Sequence, residues 1–186
     1  MIYLDDNIWD FDLQHALSKV SPWRRDYALR YRRELDQRLC VAAYLLLQSA
    51  LQQEYGIAEV PRFLFDDSGK PSLEGHANIH FSLSHCDKAV ACAVSDQPVG
   101  VDVETYDHYN EDLVRELMNE TEIHQILTSA RPDITFTRFW TMKESLYKMK
   151  GGPLDRDIPH ILNNTAVCHF TTFIHKTYLL TSCTQN

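Results

Sequence analysis

No stretch of the 186-residue sequence approaches 18 consecutive apolar residues, and the opening Met1-Ile2-Tyr3-Leu4-Asp5-Asp6 lacks both the basic region and the apolar core of a secretory signal. The expectation is a soluble, cytoplasmic protein with no membrane partner. Metal-finger spacing is missing as well. The five cysteines, Cys40, Cys86, Cys92, Cys168 and Cys183, contain no C-x-x-C pair, and their odd number does not suit a fully paired disulfide framework. They read as free thiols in a reducing compartment, and nothing beside Cys86 supplies a nucleophile-activating partner. An overall basic surplus is absent too. The net charge of −8 argues against nucleic acid as a partner, since a binding domain for that polyanion is expected to be basic.

What is present is ordinary globular material, with 44% hydrophobic and 24% charged residues. A chain of this length buries roughly 70% of the surface its unfolded form exposes, enough for a core without staples. One domain or two small ones fit that size. The positive charges are unevenly spread: Lys19, Arg24, Arg25, Arg30, Arg32, Arg33 and Arg38 crowd one segment against only Asp26, Glu34 and Asp36. That segment is either a solvated helix face or a place to meet phosphates.

Ser21-Pro22 has the form of a helix N-cap followed by proline at the first helical position. From Glu34 to Tyr55 the residues Leu35, Leu39, Ala42, Leu46 and Ala50 recur every three or four positions, and Gly56 follows as a stop. The spacing predicts a long helix. Arg62 to Asp66, Ile79 to Leu83, Ala89 to Ser95 and Val99 to Glu104 read as strands, and Val167 to His175 with Lys176 to Cys183 as a closing hairpin. Asn110 to Ser129 and Phe136 to Met149 return to helical spacing, and Gly151-Gly152-Pro153 ends the second. Helices and strands in this order predict an α+β fold rather than repeated βαβ units. No internal repeat is visible, and Asp96-Gln97-Pro98 is the best place to divide two lobes, 1–97 and 98–186.

Four elements carry chemistry. In Val99-Gly100-Val101-Asp102-Val103-Glu104 the period of two places Asp102 and Glu104 on one strand face, where like charges need a cation such as Mg²⁺ to compensate them. In Trp140-Thr141-Met142-Lys143-Glu144-Ser145-Leu146-Tyr147-Lys148 the helical period stacks Trp140, Glu144 and Lys148. Phe81-Ser82-Leu83-Ser84-His85 ends a strand in a hydroxyl and an imidazole, both able to donate to a phosphate. Asp67-Ser68-Gly69-Lys70-Pro71 is a turn presenting an ammonium. Each has an ordinary explanation when taken alone: a polar strand face, a surface ion pair, a strand end, a turn.

Together, and in this order, the four resemble the 4′-phosphopantetheinyl transferase superfamily, in its Sfp-type single-chain form. The resemblance begins at Ser21-Pro22-Trp23-Arg24-Arg25, passes through Met118 to Glu122, and rests above all on G-V-D-V-E followed some forty residues later by W-T-M-K-E-S-L-Y-K. It implies a pseudo-dimer of two similar α+β lobes with the active site between them. The implied activity is that of a holo-[acyl-carrier-protein] synthase: transfer of the phosphopantetheine arm of coenzyme A to a serine of an apo acyl or peptidyl carrier protein, with release of adenosine 3′,5′-bisphosphate. Asp102, Glu104 and Glu144 would hold Mg²⁺ or Mn²⁺, with Glu144 and Lys148 catalytic. Ser84 and His85 would meet coenzyme A phosphates, Gly69, Lys70 and Pro71 the adenine and 3′-phosphate, and Arg24 a further phosphate. Leu117 and Met118 are guesses for carrier docking, and a monomer is expected. A metal-dependent phosphodiesterase and a non-catalytic coenzyme A-binding module remain the alternatives.

Overall fold

Alternation in the strand Ala89–Ser95 (β5) sorts the core. Ala89, Ala91 and Ala93 pack with Val99, Val101 and Val103 of the next strand, Val99–Thr105 (β6). Val90, Cys92 and Val94 face the other way, onto the 22-residue helix Glu34–Tyr55 (α3). The small alanine side chains let the two halves of the chain approach closely, and the larger residues fill the space beneath the helix. In this computed structural model residues 1–67, 69–151, 158–163 and 165–185 are described.

β5 is the middle strand of an antiparallel sheet between Ile2–Asp5 (β1) and His80–Cys86 (β4). In a second antiparallel sheet β6 is one edge, Tyr178–Gln185 (β8) the centre and Cys168–Ile174 (β7) the other edge. The helix Pro132–Lys150 (α6) covers this sheet, burying Leu146 and Met149 against Cys183. Each half thus runs strand, long helix, strand, strand, with the last strand placed between the other two. Inserted in the first half is a separate hairpin of Phe63–Phe65 (β2) and Pro71–Leu73 (β3), and in the second a pair of helices, Glu111–Leu117 (α4) and Glu120–Leu127 (α5). Two short helices, Leu13–Leu17 (α1) and Pro22–Ala28 (α2), precede α3.

Local chemistry explains most boundaries. Ser21 caps α2 by accepting from Arg24 N at 3.2 Å, and Gly56 ends α3 in the left-handed conformation at φ 68°. The stretch expected as one helix from Asn110 to Ser129 is two, because Asn119 and Glu122 form a reciprocal capping box that starts α5 afresh. β1 was not expected. It is a short edge strand whose alternate residues Ile2 and Leu4 are exposed, and its pairing with β5 supplies what periodicity does not. Gly152 and Pro153 of the expected helix stop lie outside the described residues; Gly151 caps α6.

Gly100 is where strand and helix touch. A Cβ there would run into the Ser145 carbonyl oxygen and lie 2.7 Å from Met149 N, both backbone atoms of α6. Neither can move without shifting the helix. Gly100→Ala should therefore cost about 3 kcal/mol, seen as a fall in Tm of roughly 6–12 °C for a chain of this size. A Tm within 2 °C of the parent protein would show that the approach is not tight.

Candidate active site

β6 turns Gly100, Asp102 and Glu104 toward α6. On its open edge no strand ladder forms with β4; two serine hydroxyls take the ladder's place. Ser82 Oγ accepts from Val101 N at 3.0 Å and Ser84 Oγ from Val103 N at 3.3 Å. The alternating serines of Phe81-Ser82-Leu83-Ser84-His85 therefore stitch one sheet edge to the other. Ser84 also donates to Asp102 Oδ1 at 2.7 Å, and the Lys148 ammonium donates to the same oxygen at 2.6 Å and to Ser84 Oγ at 3.0 Å. Asp102 is 2% exposed, and its other oxygen, Oδ2, is buried with no hydrogen-bond partner.

Glu104 and Glu144 share this end of the site. Burial, followed by repulsion from Asp102, pushes the Glu104 carboxyl up to about 7, against the pull of Lys148 and with a further push from Glu144. Glu144 is raised by burial and then by Asp102, with Lys148 again opposing. The three carboxylates feel one another's charge, yet among the described residues no three His, Cys, Asp or Glu side chains are arranged to hold a metal ion. The expected Glu144–Lys148 helix pair is replaced by the longer-range pair of Lys148 with Asp102. Trp140 packs with the cluster of Val114, Met118, Ile126 and Phe136.

From Lys148 a cavity of about 490 Å³ opens between the halves. Arg24, Gly69, Lys70, Pro71 and His85 all line it; Ser84 does not, being buried behind the wall in the Asp102 network. Lys70 reaches across to donate to Met149 O at 2.6 Å, which ties the β2–β3 hairpin to the C-terminal end of α6 where the helix dipole favours a cation. Burial lowers its pKa. The His85 pKa is lowered first by its desolvated setting and then by the Lys148 ammonium. The Arg24 guanidinium carbon lies 5.2–5.6 Å from the ring centres of Trp23, Tyr27, Tyr44 and Phe63, so four aromatic faces fix its direction.

Sequence reading missed two features. The aromatic wall of Trp23, Tyr27, Phe63 and Phe65 comes from two separated segments, and no periodicity marks it. Lys143, beside Glu144, is 2% exposed and fully engaged: its ammonium pairs with Glu122 at 2.9 Å and donates to the Ile158 and Pro159 carbonyls at 3.0 and 2.9 Å. The M-N-E-T-E and W-T-M-K-E motifs thus meet, since Glu122 both caps α5 and holds Lys143. Met118, a guess for carrier docking, is 2% exposed and belongs to the core, while Leu117 is partly buried against the same cluster.

Lys143→Met should destabilise by about 3–5 kcal/mol, because it strands a buried carboxylate. Combining it with Glu122→Gln should recover part of that loss in a urea-melt cycle, and additive losses would show the two are uncoupled. Glu104 predicts a pH effect with a definite sign. Its proton is held more tightly in the folded state than in the unfolded one, so its contribution to stability is complete below pH 4.5 and is lost as pH rises toward about 7. In chelator, the stability of the parent protein relative to Glu104→Gln should fall across that window; a constant difference would contradict the assignment.

Comparison with known proteins agrees with this geometry. Residues 98–183 match the family model of the 4′-phosphopantetheinyl transferase superfamily. The chain is 27% identical over 153 residues to 4′-phosphopantetheinyl transferase Sfp of Bacillus subtilis (strain 168), covering 81% of this chain and 68% of that protein. It is 31% identical over 151 residues to 4′-phosphopantetheinyl transferase gsp of Aneurinibacillus migulanus, covering 80% of this chain and 61% of that one. With 4′-phosphopantetheinyl transferase AcpT of Salmonella typhimurium it shares 31% identity over 119 residues, covering 60% of this chain and 58% of that protein. The matched stretch spans both β6, with Asp102 and Glu104, and α6, with Glu144 and Lys148. The chain belongs to the 4′-phosphopantetheinyl transferase superfamily.

Proposed function

We propose that this protein transfers the 4′-phosphopantetheine arm of coenzyme A to a serine of an apo carrier protein. The observation that carries the reading is the junction of a carboxylate-rich end, Asp102, Glu104 and Glu144, with a cavity lined by Arg24, His85 and Lys148. The serine oxygen attacks the phosphorus that bears the pantetheine arm. The bond from that phosphorus to the bridging oxygen breaks, and adenosine 3′,5′-bisphosphate leaves with the electron pair.

Glu144 accepts the serine proton at its carboxylate. Its raised pKa makes it a stronger base than a free carboxylate at neutral pH. Lys148, one helical turn on, meets the charge that collects on the leaving phosphate, giving up its contact with Asp102 to do so. Ser84 holds the Asp102 carboxylate in its rotamer. The chemistry of the donor set suits a hard divalent cation, although the three carboxylates are not drawn together around one point: Asp102 Oδ2 is a buried oxygen with no partner, and two further carboxylates have raised pKa values. Asp102, Glu104 and Glu144 would hold Mg²⁺ or Mn²⁺, which supplies positive charge against that developing on the phosphoryl oxygens.

The shared topology of the two halves supports a pseudo-dimer dividing at residues 96–98, with 1–97 bearing most coenzyme contacts and 98–186 the acidic end. Every group named comes from one chain, which supports action as a monomer. Among the described residues no helix is long and apolar enough to cross a membrane; the proposed site of action is the cytoplasm.

Incubation with coenzyme A, Mg²⁺ and apo carrier protein, followed by intact mass measurement, should add one phosphopantetheine arm to the carrier. No mass gain across acyl and peptidyl carriers would overturn the reading. Lys148→Ala should lower kcat at least tenfold more than it raises KM for coenzyme A, because the charge it meets develops mainly in the transition state. Equal changes in both would remove Lys148 from the chemistry.

A further inference from the structure

Three sulfur-bearing side chains converge under the C-terminal end of α6. Cys183 of β8 and Met149 of α6 bring Sγ and Sδ to 3.7 Å, inside the small cluster that also buries Leu146. Cys168 of β7 packs against the same cluster. The strand register explains why: Cys183 stands opposite Phe170, so Cys168, two residues earlier, shares the face of Phe170 and lies on the diagonal from Cys183. The two thiols also feel each other. Burial, and then the charge and hydrogen bond of Cys168, push the Cys183 thiol up to about 12, against the pull of the Lys150 ammonium.

Packing alone would explain any one of these residues, since a free cysteine acts as a small apolar side chain and methionine fills gaps. The spacing is more specific. Two sulfurs each about 2.3 Å from one ion, at a tetrahedral or trigonal angle, stand about 3.8–4.0 Å apart. The observed separation of 3.7 Å is close to that span. Two thiols and a thioether are the soft ligands that select Cu(I). Structural zinc sites draw four ligands from Cys, His and carboxylate, and iron–sulfur clusters are held by four cysteine thiolates, so neither matches a set containing a thioether.

An entry path exists as well. Cys168 is half-buried and, with Met149, Lys70 and Lys150, lines a cavity of about 370 Å³; Cys183 is fully buried. Binding would release two thiol protons to solvent, leaving two thiolates and one monovalent cation with a single net negative charge. The Lys150 ammonium, which already acts on Cys183, offsets that charge.

We propose that Met149, Cys168 and Cys183 form a three-sulfur site for Cu(I) that joins the last turn of α6 to β7 and β8. The site uses neither coenzyme A nor a carrier, so it stands or falls apart from the transfer reaction. Lys70 already holds the Met149 carbonyl from one side. A bound ion holds the Met149 side chain to the sheet from the other, and by mass action it stabilises the folded chain.

The test loads the full chain, reduced and kept free of oxygen, with one equivalent of Cu(I) in ascorbate and then challenges it with the chromophoric Cu(I) chelator bicinchoninate. The parent protein should retain one ion per chain, show a thiolate-to-copper charge-transfer band in the ultraviolet, and melt at a higher temperature than without the ion. Cys168→Ala should lose the ion, the band and the gain in Tm together. Met149→Leu conserves volume and should fold normally. It should weaken retention at least about tenfold, the lower end of what losing even an outer contact of a metal site costs. Cys86→Ala, in a different cluster, should retain the ion as the parent does. No retention by the parent, unchanged retention in Cys168→Ala or Met149→Leu, equal loss in Cys86→Ala, or Zn²⁺ held in preference to Cu(I) would each overturn the proposal.

Discussion

One oxygen organises the site: Oδ1 of Asp102, which takes both the Ser84 hydroxyl and the Lys148 ammonium at 2.7 and 2.6 Å. A carboxylate that is 2% exposed is costly to bury unless it is paired and hydrogen-bonded, and these two donors come from different halves of the chain. Ser84 belongs to the first sheet and Lys148 to the helix over the second. Their convergence ties three elements to one point. It also depends on Gly100, two residues earlier in β6, because only a residue without Cβ lets the strand lie against the α6 backbone. The short reach of the Lys148 contact and the absence of a side chain at Gly100 are two sides of one constraint.

Around that point the network extends in chemically distinct steps. Serine hydroxyls replace a backbone ladder along the β4–β6 seam, which leaves the sheet edges joined without a continuous strand register. Lys70 fixes the far end of α6 through the Met149 carbonyl, and Lys143 fixes its middle through Glu122. Three lysines of the chain thus serve α6 with their charge directed inward. Such buried pairs add little net stability against an apolar core, but breaking one is expensive, so they suit a helix that must hold Glu144 in place.

Like charge is the reserve on which the chemistry draws. Burial first, and then the nearby Asp102 carboxylate, raises the proton affinity of both Glu104 and Glu144. The site is therefore strained toward anything cationic or acidic that enters, and Lys148 meets part of that demand. A cavity walled by aromatic rings and a caged arginine opens beside it, so a charged end and an aromatic wall adjoin in one site.

Much of this was legible in the linear chain. Strand alternation put Asp102 and Glu104 on one face, the helical period put Glu144 and Lys148 one turn apart, and the apolar stripe of Glu34–Tyr55 and the strand Ala89–Ser95 coincide with α3 and β5. These are short-range facts, set by backbone geometry within a dozen residues. What pattern reading did not contain was anything requiring two distant segments at once: the pairing of β1 with β5, the union of Glu122 with Lys143, the aromatic wall built from α2 and β2, and the matching topology of the two halves. Nor did it place Ser84 behind the cavity rather than on it. Local periodicity says which way a side chain leaves its own element. Only the packed fold decides what it meets there, because contacts across tens of residues are chosen by burial and charge pairing in the whole core.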